Sequence, residues 1–157
     1  MEILVFGLNG QRYGLPLADV QEVVRAVALA PLPKAPAIVE GVVNVRGHLV
    51  AVLDVRVRFR LAAQALTPSD FFVLAMAGER RVALRVESGV HLAQLADSSV
   101  ETLEQVVSGA GYVAGVGMLP DGLVLIHDLR TFLTSAESVE LANALESGGG
   151  SPEQRQR

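Results

Sequence analysis

Short apolar runs interrupted by turn-forming residues recur along the chain, and their lengths predict strands in preference to helices. Residues 2–8 (EILVFGL) and 11–17 (QRYGLPL) flank Asn9 and Gly10, the pair best suited to the positive φ angles of a two-residue hairpin turn. Residues 18–28 (ADVQEVVRAVA) carry β-branched Val20, Val23, Val24 and Val27, so a helical turn followed by a strand is expected there. Pro31, Pro33 and Pro36 exclude continuous regular structure through PLPKAP. Residues 38–46 and 49–54 read as two more valine-rich strands joined at Arg46 and Gly47, and Asp54 is placed to cap a short helix running to Phe59.

The second half replays this order. Residues 71–77 and 80–86 flank Gly78, residues 112–119 and 123–127 flank Pro120, Asp121 and Gly122, and Asp128 precedes a helical stretch reaching Leu133. A shift of 74 lays Gly41 on Gly115, Val42 on Val116, Leu49 on Leu123, Val50 on Val124, Asp54 on Asp128 and Arg56 on Arg130 without a gap. The opening hairpins align more weakly, NGQRY on AGERR at an offset of 68. Two related units follow, 3–59 and 71–133, joined by residues 60–70. Each holds about five short strands, too few for a sandwich but enough for a barrel that hides its edges by closure. The expected fold class is therefore mainly β: two similar small five-stranded β-barrel subdomains related by internal duplication, with short helices at strand ends. A C-terminal helical segment is expected at 136–146, with Val139, Leu141, Ala142 and Leu145 on one face, and residues 147–157 have nothing to bury and are expected to be disordered.

Composition narrows the function classes. Half of the 157 residues are apolar, 4% are aromatic and 19% are charged, so Ala, Val and Leu must fill the core. Thirteen Lys and Arg are scattered among 17 Asp and Glu, for a net charge of −4, which argues against binding nucleic acid or an anionic membrane. No cysteine is present, which rules out disulfides and thiolate metal sites and fits a reducing cytosol. Neither a signal-like N-terminus nor a membrane-length apolar run appears, so a soluble, cytoplasmic chain without membrane insertion is expected.

Chemistry is hard to find. The sequence has no GxxxxGK phosphate loop, no GxGxxG between strand and helix, and no GxSxG nucleophile turn. His48, His91 and His127 lack any HxH or HExxH spacing and read as structural or surface residues. Asp54 and Asp128 could pass for a catalytic carboxylate pair, but their equivalence under the 74-residue shift is better explained by a duplicated helix cap. Arg56, Arg58 and Arg60 read as a solvated face between the units. No catalytic residue, cofactor site or metal site is nominated, and the chain is not expected to be an enzyme.

Three strings in particular resemble the CheW family, the adaptors of bacterial chemosensory arrays. They are GQRYGLPLADVQEVVR, PLPKAPAIVEGVVNVRGHLVAVLDVRVRF and GVGMLPDGLVLIHDLRTFL, and the likeness spans residues 3–135, making 1–135 one CheW-like domain. The resemblance implies a non-catalytic cytoplasmic adaptor recruited to receptor arrays. Its implied partners are the cytoplasmic hairpin tip of a methyl-accepting chemoreceptor and the regulatory domain of a CheA-type histidine kinase. Carried over by position, Glu22 and Arg46 look like the charged pair near the family's receptor-facing surface, Asn44 and Gly47 shape the same turn, and Val20, Val23 and Val45 look like apolar neighbours of the groove between barrels. The second unit departs from the family pattern at LRVESGV, where Glu87 replaces an aspartate. A competing reading is a small-molecule sensor whose ligand sits in the cleft between the barrels.

Overall fold

A computed structural model of the chain describes residues 1–87, 89–96, 100–102 and 113–148. Eleven strands are described: β1 (Glu2–Leu8), β2 (Gln11–Pro16), β3 (Val20–Arg25), β4 (Val39–Val45), β5 (His48–Asp54), β6 (Phe71–Ala77), β7 (Arg80–Val86), β8 (His91–Gln94), β9 (Val100–Thr102), β10 (Val113–Leu119) and β11 (Gly122–His127). Helix α1 (Val55–Phe59) follows β5, a single 3-10 turn (Leu129–Thr131) follows β11, and α2 spans Ser135–Gly148. The protein is mainly β, with two duplicated subdomains. The tail expected to be disordered lies, beyond Gly148, outside the described residues.

The duplication is visible in register. β4 pairs with β5 as Val39↔Leu53, skips one residue, and resumes at Gly41↔Val52; β10 pairs with β11 as Val113↔His127, skips one, and resumes at Gly115↔Ile126. Every pair of the first hairpin falls on a pair of the second under the 74-residue shift, β-bulge included. The opening hairpins also match, but at 69: Leu8↔Gln11 falls on Ala77↔Arg80. The offset of 68 aligned glycine with glycine. It fails by one because Gly10 is the second central residue of its turn, after Asn9 at φ 51°, whereas Gly78 at φ 65° is the first. Type I′ and II′ turns put their glycine in those different places.

In space the units are interleaved. One sheet runs β8-β1-β2-β11-β10-β9 and the other β3-β6-β7-β5-β4, so each takes its hairpin from the opposite half of the chain. Parallel pairing makes the joins, Ala51↔Val82 between β5 and β7 and Leu125↔Tyr13 between β11 and β2. The sixth strand has a counterpart too. Val116 of β10 pairs with Glu101 of β9, and Val42, its equivalent in β4, makes an isolated bridge to Ala30. That bridge closes the five-stranded sheet, because Ala30 follows edge strand β3 and Val42 lies on edge strand β4. Gly41 permits the approach: a Cβ there would stand 2.5 Å from the Ala30 carbonyl oxygen.

Both faces of the central strands are buried, which explains their unbroken apolar runs. Ile3 and Val5 of β1 face an interior with Val124 and Ile126, while Leu4, Phe6 and Leu8 face a core shared by the two sheets with Leu53, Val73 and Leu84. A third cluster, with Val43, Val50, Val52, Phe72 and Leu74, fills the five-stranded sheet. On α2 the buried residues are Leu141 and Ala144, whereas Val139 is 61% exposed. Two residues are about 200° of helix, so Val139 points away from the side Leu141 buries. A capping box opens α2, with the Thr134 Oγ1 accepting from the Glu137 amide at 3.1 Å and the Glu137 Oε1 accepting from the Thr134 amide at 2.8 Å.

Candidate partner-binding site

β3 and β4 are the two edges of the five-stranded sheet, and an ion pair joins β3 to the turn that leads out of β4. Arg46 donates from Nη1 to Glu22 Oε2 and from Nη2 to Glu22 Oε1, both at 2.6 Å. The fork is bidentate, the geometry a guanidinium offers a carboxylate best. A bulge positions Glu22: β3 pairs as Val20↔Ala75, skips Gln21, and resumes at Glu22↔Leu74 and Val23↔Val73. The skip puts Val20 and Val23 on one face and Glu22 on the other. Both valines pack against the shared core.

Arg46 holds φ 50° and Gly47 φ 87°, the left-handed pair a type I′ turn demands. Asn44 caps that turn, its Oδ1 accepting from the Gly47 amide at 2.8 Å. Side chains with a Cβ resist this backbone region, so the turn holds an arginine at some conformational cost and presents its guanidinium at the sheet corner. Hydrogen bonds from Arg46, helped by the charges of Arg46 and Arg81, hold the Glu22 carboxyl below its usual range. Arg46 stays 70% exposed in its side chain and Glu22 30%. Of the apolar neighbours expected at the groove between subdomains, Val20 and Val23 lie beside the shared core. Val45 does not. It packs inside the five-stranded sheet with the cluster of Val43, Val50 and Phe72, because strand alternation sends it to the same face as Val43.

A groove of about 640 Å³ lies beside this corner, between the β6–β7 turn, the 3-10 turn and α2. Leu49, Ala77, Leu129 and Leu133 line it, together with Glu79, Arg80, Arg81, Arg130 and Ser138. No group of three or more His, Cys, Asp or Glu that could hold a metal occurs among the described residues. No helix there is long and apolar enough to cross a membrane.

A second polar cluster escaped the sequence reading. Arg56, expected on a solvated face, is buried. It donates from Nε to Asn9 Oδ1 and from Nη2 to Glu87 Oε1, each at 2.8 Å. Arg85 is equally buried and reaches Glu40 at 2.6 Å, Asp70 at 3.3 Å and the Gln64 carbonyl at 2.8 Å. Asp54 sits between the two guanidiniums, 4.0 Å from Arg56 and 3.7 Å from Arg85. Burial pushes the Glu40 carboxyl up, against the pull of Arg85. Arg58 is mostly buried as well and pairs with Glu137 of α2 at 2.6 Å. These residues are scattered over 9–137, so no local pattern announces them. Glu87, the departure from the family pattern, is the group that reaches both Arg56 and the Asn9 amide.

Asp54 and Asp128 both cap as the duplication requires. Each Oδ1 accepts from the amide two residues on, Arg56 at 3.0 Å and Arg130 at 3.1 Å. His127, the residue before Asp128, is fully buried among Phe6, Tyr13, Phe59 and Phe132, with no hydrogen bond to either ring nitrogen. Burial pushes its pKa down from 6.5 to about 3.

Comparison with known proteins agrees with this architecture. The family model for the CheW-like domain matches residues 2–137. The chain is 26% identical to a chemotaxis protein CheW of Treponema pallidum, covering 90% of this chain and 87% of that one. It is 24% identical to the CheW of Klebsiella aerogenes, covering 93% and 89%. Its fold is similar to the crystal structure of the scaffolding protein TtCheW from Thermoanaerobacter tengcongensis, with a TM-score of 0.78, 26% identity, and 87% and 94% of the two chains covered. With two duplicated β subdomains that exchange hairpins and a family match spanning nearly its whole length, the chain belongs to the CheW-like domain family.

Proposed function

We propose that the protein is a non-catalytic, cytoplasmic adaptor that couples the cytoplasmic hairpin tips of chemoreceptors to the regulatory domain of a CheA-type histidine kinase. The observation that carries this reading is the bidentate Glu22–Arg46 pair, held at an exposed corner by a β-bulge and a left-handed turn. Exposed ion pairs contribute little to folding, so a geometry this constrained is better explained by what it presents than by what it stabilises. An adaptor of this kind acts by simultaneous binding. Its separate contacts gain from the avidity of an array, so each need not be strong alone.

Arg46→Ala tests the reading. The variant is expected to melt with the wild type, to keep its affinity for the kinase regulatory domain, and to lose about thirtyfold in affinity for a receptor hairpin fragment, as truncation of an interface arginine does. Thermal unfolding and two binding titrations supply the three readouts. Wild-type affinity for both partners would falsify the assignment, and a large fall in melting temperature would make Arg46 a structural residue.

A further inference from the structure

Helix α1 follows β5, a strand of the five-stranded sheet, yet its side chains reach the other sheet and α2. Phe59 stacks on Tyr13 of β2, with 5.3 Å between ring centroids, and lies 4.9 Å from the ring of His127 at the end of β11. Arg58 pairs with Glu137 of α2. Arg56 closes a clasp on the β1–β2 turn. There Asn9, at φ 51°, accepts from Arg56 through its Oδ1, donates its amide to Glu87 Oε1 at 2.9 Å and donates its Nδ2 to the Ala62 carbonyl at 3.0 Å. One turn residue of the six-stranded sheet thus has its amide and both side-chain polar atoms engaged by the five-stranded half and the linker. Glu87 closes the ring by donating its own amide to the Gly7 carbonyl at 3.3 Å.

Folding stability does not account for the clasp. The Arg56 Nη1 is buried without a hydrogen bond, 4.0 Å from Asp54, and a buried guanidinium left partly unpaired stabilises less than an apolar side chain of its size. The sister joint does without one. Shifts of 69 and 74 put Gly78, Ala18 and Arg130 at the places of Asn9, Glu87 and Arg56, and the Arg130 side chain is 85% exposed. A Cβ on Gly78 would meet nothing within 4 Å. Apolar contact between sheets is not directional, whereas hydrogen bonds are, so a network of little net stability can still select one packing among near-equal ones. We propose that the Asn9–Arg56–Glu87 clasp sets the angle between the two sheets, with Arg56 as its positioning residue. It thereby fixes how far the Glu22–Arg46 corner stands from the equivalent corner of the other sheet, where Arg12 pairs with Asp121. This role does not depend on the adaptor reading.

The chain has no cysteine, so spin labels at Gln21→Cys and Leu123→Cys, exposed positions on the two sheets, report a single distance in the full chain. With the clasp intact, one narrow distance distribution is expected. Arg56→Met/Glu87→Met removes both charges together, a change that leaves stability near neutral, so this variant is expected to melt close to the wild type. Its distance distribution is expected to shift or widen by about 2 Å or more, the scale of a domain rearrangement. Asn9→Gly suits the left-handed turn and removes only the Oδ1 and Nδ2, so it carries the same test where the double variant folds poorly, with the same change expected. An unchanged narrow distribution in a folded variant overturns the proposal, and so does a distribution that is already broad with the clasp intact. A fall in melting temperature with no change in distance overturns it too, and makes the clasp a stabilising tie alone.

Discussion

Two corners of the molecule occupy equivalent places in the duplicated fold and carry opposite charge patterns. A shift of 69 takes Glu22 on β3 to His91 on β8 and Arg12 on β2 to Arg81 on β7, while a shift of 74 takes Arg46 and Gly47 to Pro120 and Asp121. At the first corner an acid stands on the strand and an arginine on the turn. At the second the acid, Asp121, stands on the turn, paired with Arg12 at 2.6 Å, and the strand offers a histidine. The apolar dressing differs as well. Val23 packs against the shared core, whereas its equivalent Leu92 is 60% exposed, and Asn44 is matched by Met118 at 57% exposure. Backbone register survived duplication because ladder pairing and core packing constrain it. The corners lie outside both constraints, so one fold presents two unlike surfaces, which is what the proposed adaptor role calls for.

The same contrast appears one turn further on. Leu53-Asp54-Val55-Arg56 and His127-Asp128-Leu129-Arg130 trace the same cap, but Arg56 lies in the buried ion network and Arg130 in solvent. Alanine at the two aspartates should separate them most widely. Asp54→Ala leaves Arg56 and Arg85 short of a buried counter-charge and is expected to cost about 3–5 kcal/mol, against about 1 kcal/mol for the loss of a cap in Asp128→Ala. Denaturant unfolding of the two variants measures both, and equal losses would mean that the network does not distinguish the copies.

His127 against Leu53 is the next largest difference. The folded state holds the imidazole neutral down to about pH 3, while the unfolded chain takes up a proton near 6.5. Stability from this residue is therefore complete above pH 6.5 and falls as the pH drops toward 3, by about 2 kcal/mol at pH 5. His127→Leu, which copies the sister repeat, should remove that slope and raise stability at pH 7 by about 1–3 kcal/mol, since two buried nitrogens no longer go unpaired. Melting curves at pH 7 and pH 5 for variant and wild type give the answer; an unchanged acid slope would place the titration elsewhere.

The smallest expected effect sharpens the comparison of the corners. Asp121→Ala breaks an exposed pair, so melting should not move, and receptor-fragment affinity should stay at the wild-type value while Arg46→Ala loses it. A receptor defect in Asp121→Ala would show that both corners serve one partner.

Much of this was legible in the residues. Asn9-Gly10, Arg46-Gly47 and the ungapped match of 41–56 on 115–130 announced hairpins, repeat and caps, because each is set by local backbone preference or by strand alternation. The exchange of hairpins was not legible, since two similar hairpins present similar edges to β5 and β11, and pairing within one repeat looks the same along the chain as pairing between repeats. The placement of Arg56 was hidden for a related reason. An Arg-x-Arg-x-Arg run looks solvated until Asn9, Glu87 and Asp54 are brought around its first member.

What the sequence determined by itself was the set of elements, their duplication and the family, all carried by patterns that repeat within a few residues or at one fixed offset. Tertiary structure alone decided which hairpin joins which sheet, which arginines are buried, and that Glu22 and Arg46 meet across a closed sheet edge. Those outcomes depend on contacts between residues far apart in the chain, whose energies come from burial and charge pairing and leave no periodic trace.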